Sequence, residues 1–312
     1  MSTPPPPAHR APLPLSHEIV CGVRTLAGIP YAAIPGVRPL ELDLWLPPAG
    51  STTPPVVVFL HGGGWRLGSR HSAGPAYVAG PSPFELLARA GIAVASIDYR
   101  LSGEAVWPAQ LHDAKAAVRW LRERAGDVGI DPLRIAAWGE SAGGHLAELL
   151  GLTADVTPLD GEVGVLGPAS SVVAVVAWYA PSDIAAVATD IGADPLNPES
   201  REAQLLGDAP AAVPQIAGQA SPISYVGPVS PPFLLLHGKA DRMVPAIQSE
   251  RLAAALVAAG GTVELHLYDE ANHMWLGAPS AAADAVPRTI EFLHQQFATV
   301  SNLDADTKGD NE

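Results

Sequence analysis

The sequence Gly139-Glu140-Ser141-Ala142-Gly143 places a hydroxyl group between small residues. It follows RIAAWG, which has strand character, and precedes HLAELLGL, which has helical character. Small neighbours relieve the steric cost of a sharp strand-to-helix turn, and such a turn projects a serine hydroxyl from the end of a sheet. The N-terminus of the following helix favours negative charge at the same place. We predict that Ser141 is a nucleophile, and that Glu140 either belongs to the substrate site or anchors the turn.

A second glycine-rich sequence, His61-Gly62-Gly63-Gly64-Trp65, directly follows the apolar run VVVFL. Glycines leave backbone N–H groups unobstructed, so Gly63, Gly64 and the amide of Ala142 are candidate donors to the oxyanion of a tetrahedral intermediate. An ordinary turn and a phosphate-binding loop are the alternatives, but neither the lysine of a P-loop nor a dinucleotide fingerprint follows. Trp65 either belongs to the core or forms a wall of the substrate pocket.

A serine hydroxyl becomes a good nucleophile only when a base takes its proton and a carboxylate orients that base. With a turn of this kind, the acid and then the histidine follow the nucleophile in the chain, each on a loop after a strand. Asp241 in HGKADRMVP and His273 in ANHMW fit this order, so we predict the triad Ser141, Asp241 and His273. Asp183 is the alternative acid. His237 is the alternative base, although we expect it to brace the loop that carries the acid.

The elements that must position these residues alternate between short apolar runs and helical periods. VVVFL, IAVASI, RIAAWG, VVAVVAW and FLLLHG are continuous apolar runs, typical of parallel strands buried on both faces. HEIVCGVRTL and LELDLWLP alternate in part, as an antiparallel edge pair does. PAQLHDAKAAVRWLRERAG has apolar residues three and four apart, which is the helical period. The pattern predicts an α/β fold with a mostly parallel central sheet and helices on both faces.

Composition shifts suggest the domain boundaries. Residues 1–16 are rich in proline and predict a disordered N-terminal arm, and residues 299–312 are polar and acidic and predict a disordered tail. A chain of 312 residues can form one sizeable core, so we assign 17–298 to one catalytic domain. Within it, 182–230 has little strand character and is the candidate cap over the site.

Charge, hydropathy and cysteine content exclude several classes of function. The net charge of −14 argues against nucleic-acid binding, which rests on lysine and arginine. No apolar run reaches the ~18 residues that a membrane-spanning helix needs. Cys21 is the only cysteine, which rules out an internal disulfide and a cysteine metal cluster, and we expect it to pack inside the fold. We predict a soluble, cytoplasmic protein without cofactor, metal or nucleic-acid partner, whose oligomeric state is open.

The motifs HGGGW, DYRLS, GESAGG, YAPSD, HGKADRMVP and ANHMW occur in this order. Together they resemble bacterial α/β-hydrolases of the hormone-sensitive-lipase-like group, over about residues 17–298. They are most similar to the branch that contains bifunctional feruloyl and acetyl-xylan esterases. The resemblance implies an α/β-hydrolase fold with a short cap insertion and no cofactor. It assigns Ser141 as nucleophile, His273 as base and Asp241 as orienting acid, with the oxyanion donors named above.

This resemblance implies hydrolysis of small-molecule carboxylic esters through an acyl-enzyme intermediate. An amidase or aryl-formamide hydrolase with the same triad is the alternative, and a non-catalytic ligand-binding protein of this fold is a further one. The sequence departs from the group in one respect, because the group often carries a long helical N-terminal cap and residues 1–16 are too short and too proline-rich to form one. We therefore expect a pocket that is open or covered mainly by 182–230.

Overall fold

A computed structural model describes residues 7–50 and 52–309, and within that part of the chain the strands form one nine-stranded sheet. The strands are His17–Glu18 (β1), Arg24–Ala32 (β2), Leu40–Leu46 (β3), Val56–Leu60 (β4), Ala93–Ile97 (β5), Ile135–Glu140 (β6), Val175–Trp178 (β7), Phe233–Gly238 (β8) and Val263–Tyr268 (β9).

The sheet has the order β1-β2-β3-β5-β4-β6-β7-β8-β9. Strands β1, β2, β3 and β5 pair antiparallel, whereas β5, β4, β6, β7, β8 and β9 are mutually parallel. Every residue of β4 to β8 is buried, as the continuous apolar runs predicted. Strand β3 alternates between buried and partly buried positions, which is typical of a strand near the edge. The predicted mostly parallel sheet is thus confirmed.

Helices cover both faces of the sheet, and two separate groups of buried apolar side chains mark the two faces. One face packs against α2, α4 and α8, and the other packs against α1 and α9. The helices are Pro83–Arg89 (α1), Ala109–Glu123 (α2), Ala125–Val128 (α3), Ala142–Leu152 (α4), Val187–Asp190 (α5), Arg201–Leu206 (α6), Pro214–Gln219 (α7), Ile247–Ala258 (α8) and Pro279–Gly309 (α9).

Both termini differ from the predicted disordered segments where the structure describes them. The His9 carbonyl accepts hydrogen bonds from Trp120 Nε1 at 2.9 Å and from Arg124 Nη1 at 3.2 Å, so this part of the predicted arm lies against α2. Helix α9 continues to Gly309, past the boundary predicted at residue 298. The remainders of the two predicted segments, 1–6 and 310–312, lie outside the described residues.

The 182–230 segment joins β7 to β8 and holds the short helices α5, α6 and α7. Its start is fixed to α8, because Gln248 Oε1 accepts hydrogen bonds from the N–H groups of Ser182 at 2.9 Å and Asp183 at 2.7 Å. The segment is therefore a compact helical insertion between two parallel strands, and it emerges from the same sheet edge as the loops that follow β4 and β6.

Cys21 differs from expectation, since its side chain is exposed. It lies in the short 3-10 turn Val20–Gly22 before β2, where its φ of 63° turns the chain at the surface rather than into the core. No described helix is long and apolar enough to cross a membrane.

One carboxyl group is buried without full hydrogen bonding. Glu148, on α4, accepts a hydrogen bond from Ser182 Oγ at 3.1 Å through Oε1, and its Oε2 contacts no hydrogen-bond donor among the described residues. Burial raises the pKa of Glu148 to about 8. The neutral form of this side chain thus fits the core better than the charged form.

We expect Glu148→Gln to change how stability depends on pH. A carboxyl whose pKa is raised on folding binds more protons in the folded state, so its contribution to stability falls as pH rises from the unfolded value toward 8. Glutamine cannot ionise and removes that loss. The free energy of unfolding of the variant relative to wild type should therefore increase between pH 6 and pH 8, by at most ~1.4 kcal/mol per pH unit. Denaturant titrations at several pH values measure it.

Glu264→Gln is the matched control, because Glu264 is exposed on β9. Its relative stability should change little over the same pH interval. A constant difference between Glu148→Gln and wild type at all pH values would contradict the buried-carboxyl interpretation.

Candidate active site

Ser141 occupies a sharp turn between β6 and α4, with φ 51° and ψ −120°. The turn depends on its glycines. A Cβ on Gly143 would lie 2.0 Å from the Leu60 carbonyl oxygen, and one on Gly139 would lie 2.2 Å from the Gly143 carbonyl oxygen. The Ser141 N–H donates to the Trp178 carbonyl at 2.8 Å. Backbone packing and this hydrogen bond hold Ser141 in a conformation that side chains rarely adopt.

The side chains of Ser141, His273 and Asp241 form a continuous hydrogen-bonded chain. His273 Nε2 lies 2.9 Å from Ser141 Oγ, and His273 Nδ1 lies 2.6 Å from Asp241 Oδ2. Ionised Asp241 can only accept, so Nδ1 carries the proton and Nε2 is free to accept from the serine hydroxyl. All three residues are buried. The structure thus brings together the three residues that were predicted from the sequence to form a triad.

The loop after β8 keeps the Asp241 carboxylate ionised. Burial alone would raise the pKa of Asp241, but hydrogen bonds from His237 and His273 and from the Val244 N–H hold it well below its ordinary value. Its other oxygen, Oδ1, accepts from the N–H groups of Met243 at 2.8 Å and Val244 at 2.9 Å. A carboxylate held in this way orients the imidazole and favours its protonated form once it has taken a proton.

The alternative base, His237, and the alternative acid, Asp183, have other hydrogen-bond partners. His237 Nδ1 lies 2.7 Å from Ser249 Oγ, and its Nε2 lies 2.8 Å from the Val244 carbonyl oxygen. Since Nε2 also lies 3.5 Å from Asp241 Oδ2, His237 braces the acid loop, as expected. Asp183 is the second residue of the 182–230 segment, and its backbone N–H donates to Gln248 Oε1 at 2.7 Å.

Asn272, which was not predicted from the sequence, joins the two loops that carry Asp241 and His273. Its Oδ1 accepts from the His273 N–H at 2.8 Å and from the Arg242 N–H at 3.2 Å. Asparagine directly before a helical turn is a common capping residue, so its position before the short 3-10 turn His273–Trp275 was the available signal.

The glycine loop after β4 is anchored on both sides of its three glycines. The Tyr99 hydroxyl donates to the His61 carbonyl at 2.8 Å, and Arg70 forms a salt bridge with Asp43 at 2.8 Å. Gly63 and Gly64 have φ values of 114° and 60°, which glycine adopts without strain. Neither glycine N–H donates a hydrogen bond within the described part of the chain. Ala142 is the first residue of α4, where an N–H has no intrahelical acceptor.

Glu140 ties the glycine loop to the serine turn. Its Oε2 accepts from the buried Tyr179 hydroxyl at 2.5 Å, and its Oε1 accepts from the Gly62 N–H at 3.3 Å. Burial raises the pKa of Glu140 even though both hydrogen bonds oppose that rise. Both oxygens are thus engaged, which favours the anchoring alternative for Glu140. Tyr179, whose ring also packs edge-on against His273 at 4.8 Å, was not identified from the sequence.

Trp65 does not fit the predicted role in substrate binding. Its side chain is 2% exposed, and its Nε1 donates to His145 Nδ1 at 3.2 Å. This leaves His145 Nε2 to donate to the Ala220 carbonyl at 2.6 Å. Burial lowers the pKa of His145 to about 4, so the pair is a neutral link between the glycine loop, α4 and the 182–230 segment. Trp65 belongs to the core, the other alternative given for it.

Ser141 opens into a cavity of about 340 Å³. The described residues that line it come from the glycine loop, the serine turn, the acid and base loops and α6, and they are Gly62, Gly63, Gly64, Arg66, Leu67, Glu140, Ser141, Arg201, Met243, His273 and Met274. Its size suits a small molecule. Among the described residues, no group of three or more histidine, cysteine, aspartate or glutamate side chains could hold a metal ion.

A profile of the BD-FAE family matches residues 42–256, more than two thirds of the chain. The chain belongs to the BD-FAE family. This confirms the resemblance to serine esterases of the α/β-hydrolase fold that the ordered motifs indicated. The match includes Ser141 and Asp241 and ends before His273.

The BD-FAE chain is similar to curated proteins of Mycobacterium tuberculosis. It is 33% identical to Esterase LipQ over 280 residues, and 35% identical to Esterase LipC over 272 residues. These alignments cover 85% and 82% of this chain but 61% and 64% of the two relatives. The chain thus spans about six tenths of the length of these relatives.

Two solved structures share the fold over most of their length. A truncated form of a carbohydrate esterase from gut microbiota superposes with a TM-score of 0.78 at 29% identity, covering 88% of this chain and 96% of that chain. A thermophilic esterase of the planctomycete Thermogutta terrifontis, solved with propionate bound, gives a TM-score of 0.70 at 26% identity. The match covers 88% of this chain and 94% of that chain. The α/β-hydrolase fold predicted for this BD-FAE member is therefore confirmed.

The backbone conformation of Ser141 predicts an unusual order of stability among its variants. To hold a residue with a Cβ at φ 51° and ψ −120° destabilises the folded state by about 1–3 kcal/mol, and glycine avoids that loss. Because glycine also gains more freedom in the unfolded chain, we expect Ser141→Gly to exceed Ser141→Ala in free energy of unfolding by ~1 kcal/mol. Thermal and denaturant unfolding measure the difference, and equal stabilities of the two variants would argue against the strained turn.

Proposed function

We propose that this protein is a serine carboxylesterase, with Ser141 as nucleophile, His273 as general base and acid, and Asp241 as the orienting carboxylate. The observation that carries the proposal is the hydrogen-bonded chain from Ser141 Oγ to His273 Nε2 at 2.9 Å and from His273 Nδ1 to Asp241 Oδ2 at 2.6 Å. It ends at a hydroxyl that opens into a small cavity. This combination activates serine for attack on a carbonyl.

In the proposed reaction, Ser141 Oγ attacks the ester carbonyl carbon while His273 Nε2 takes the hydroxyl proton. The resulting imidazolium is stabilised by Asp241 and then gives its proton to the leaving alcohol as the C–O bond breaks. A water molecule attacks the acyl-enzyme, with His273 taking one of its protons and returning it to Ser141. The carboxylic acid product leaves and the free serine is restored.

The N–H groups of Gly63, Gly64 and Ala142 are the proposed donors to the oxyanion. The two glycines line the cavity beside Ser141, and Ala142 directly follows the nucleophile at the N-terminus of α4. Donors of this kind are fixed before the reaction and therefore stabilise developing charge without reorganisation. We further propose that 182–230 is the cap, because its Arg201 lines the same cavity.

The names of similar proteins support an ester rather than an amide as substrate. Two M. tuberculosis relatives are esterases, and the Thermogutta terrifontis structure carries propionate, a short carboxylate. The same Thermogutta esterase 2 is phosphorylated by paraoxon. That reagent modifies nucleophilic serines, so it offers a direct probe of Ser141.

We expect paraoxon to inactivate the wild-type protein with a single phosphoryl addition on Ser141. Ser141→Ala should take up no label and should lose esterase activity by a factor on the order of 10³ or more, because the attacking atom is gone. Peptide mass spectrometry locates the label, and hydrolysis of p-nitrophenyl acetate measures activity. Labelling at another residue, or undiminished turnover by Ser141→Ala, would overturn the assignment.

A second experiment tests the acid. Asp241→Asn should lower kcat by a factor on the order of 10³, because an amide at this position cannot favour the tautomer that leaves Nε2 as acceptor. Asp183→Asn is the matched control, since Asp183 carries the same side chain after the preceding strand and has no hydrogen bond to His273. A larger loss in Asp183→Asn than in Asp241→Asn would reverse the two assignments.

A further inference from the structure

Two arginine side chains line the cavity beside Ser141. Arg66 follows the glycine loop, and Arg201 is the first residue of α6 in the 182–230 segment. Neither guanidinium group forms a salt bridge or hydrogen bond with any residue that the structure describes. Two other arginines near the sheet edge, Arg70 and Arg100, are paired with Asp43 and Asp113. Arg66 is exposed and Arg201 is partly buried, so both guanidinium groups are accessible to a molecule that enters the cavity.

Both arginines lie close to the place where the ester carbonyl would react. A Cβ built on Gly64 would lie 2.6 Å from Arg201 Cδ, so the stem of Arg201 rests directly on a proposed oxyanion glycine. The Arg66 N–H donates to the Gly63 carbonyl at 3.2 Å, which fixes the backbone of the second arginine beside the same loop.

No described carboxyl group that lines the cavity is paired with these two cations. Glu140 is the one carboxyl group among the described lining residues, and both of its oxygens are bonded to Tyr179 and Gly62. The chain as a whole has a net charge of −14, so two unpaired arginines in one cavity run against its overall charge. A guanidinium group binds carboxylates through paired, charge-assisted hydrogen bonds.

We propose that the preferred substrate is an ester that carries an anionic group, such as a carboxylate, and that Arg66 and Arg201 bind this group. Leu67, Met243 and Met274 line the rest of the cavity and provide apolar contact for the remainder of the molecule. The inference rests on the proposed esterase function and adds a substrate class to it. It also gives the 182–230 segment a role in specificity, because Arg201 comes from that segment.

The test compares two pairs of esters of similar size, in each of which one member is anionic and the other is neutral. Monomethyl succinate and dimethyl succinate place the charge on the acyl side, and 3-acetoxybenzoate and 3-acetoxybenzamide place it on the alcohol side. We expect wild type to have the higher kcat/KM for the anionic member of at least one pair. In that pair, Arg66→Gln and Arg201→Gln should each lower kcat/KM for the anionic ester by about 10-fold or more, since hydrogen bonds to charged groups are the strong ones. The neutral ester should change by less than about 3-fold.

Arg242→Gln is the matched control, because Arg242 is an exposed arginine that does not line the cavity. It removes the same charge and should leave both kcat/KM values unchanged. Arg201→Lys keeps the charge and a long stem, so it should retain more of the preference for the anionic ester than Arg201→Gln does.

Three results would overturn the inference. Wild type could have the higher kcat/KM for the neutral member of both pairs. Arg66→Gln and Arg201→Gln could lower kcat/KM equally for the anionic and the neutral ester. Arg242→Gln could reduce the preference for the anionic ester as much as these two variants do. An equal loss would mean that the arginines support the reaction or the fold rather than recognise an anion. In each case, the proposed esterase function would still hold if wild type hydrolyses neutral esters and paraoxon labels Ser141. If wild type showed neither hydrolysis nor labelling, the esterase function and the anionic substrate class would both be overturned.

Discussion

The close approach of α4 to the end of β4 is the constraint on which the site depends. Gly143 lies so near Leu60 that a Cβ would stand 2.0 Å from the Leu60 carbonyl oxygen. This contact joins the serine turn to the strand that leads into the glycine loop. A larger residue at position 143 would push the helix away from the strand and so separate Ser141 from Gly63 and Gly64. Dense packing of this kind leaves no room for adjustment.

Hydrogen bonds then fix the loops that the sheet delivers to the same edge. Glu140 bonds to the glycine loop and to Tyr179, which in turn packs against His273. Asn272 bonds to the backbones of the acid and base loops. Each brace is a buried or half-buried polar group with defined partners, which is how loops are held to the small tolerances that acyl transfer requires. Loops alone would not keep this geometry.

The sequence predicted those parts of the molecule whose residues are constrained locally. Continuous apolar runs identified β4 to β8, and small residues around Ser141 identified its turn. Asp241 and His273 followed from chain order and strand context. Contacts between distant segments could not be predicted in this way. Tyr179 and Asn272 are ordinary residues in the sequence, and only the packed fold shows what they touch. Trp65 was ambiguous for the same reason, since its exposure depends on how His145 and the 182–230 segment cover it.

The fold separates the parts that perform the proposed chemistry from the part that would select the substrate. Ser141, His273, Asp241 and the glycine loop all follow central or neighbouring parallel strands, so the core fixes their positions. The 182–230 segment instead contacts this edge through single hydrogen bonds, such as Gln248 with Ser182, His145 with Ala220 and the Trp107 N–H with the Leu205 carbonyl. Residues that face the cavity from it, such as Arg201, can therefore change without moving Ser141. A helical insertion can vary in this way because most of its backbone hydrogen bonds join residues within the insertion, whereas a change in the glycine turn or in β4 would disturb the whole sheet.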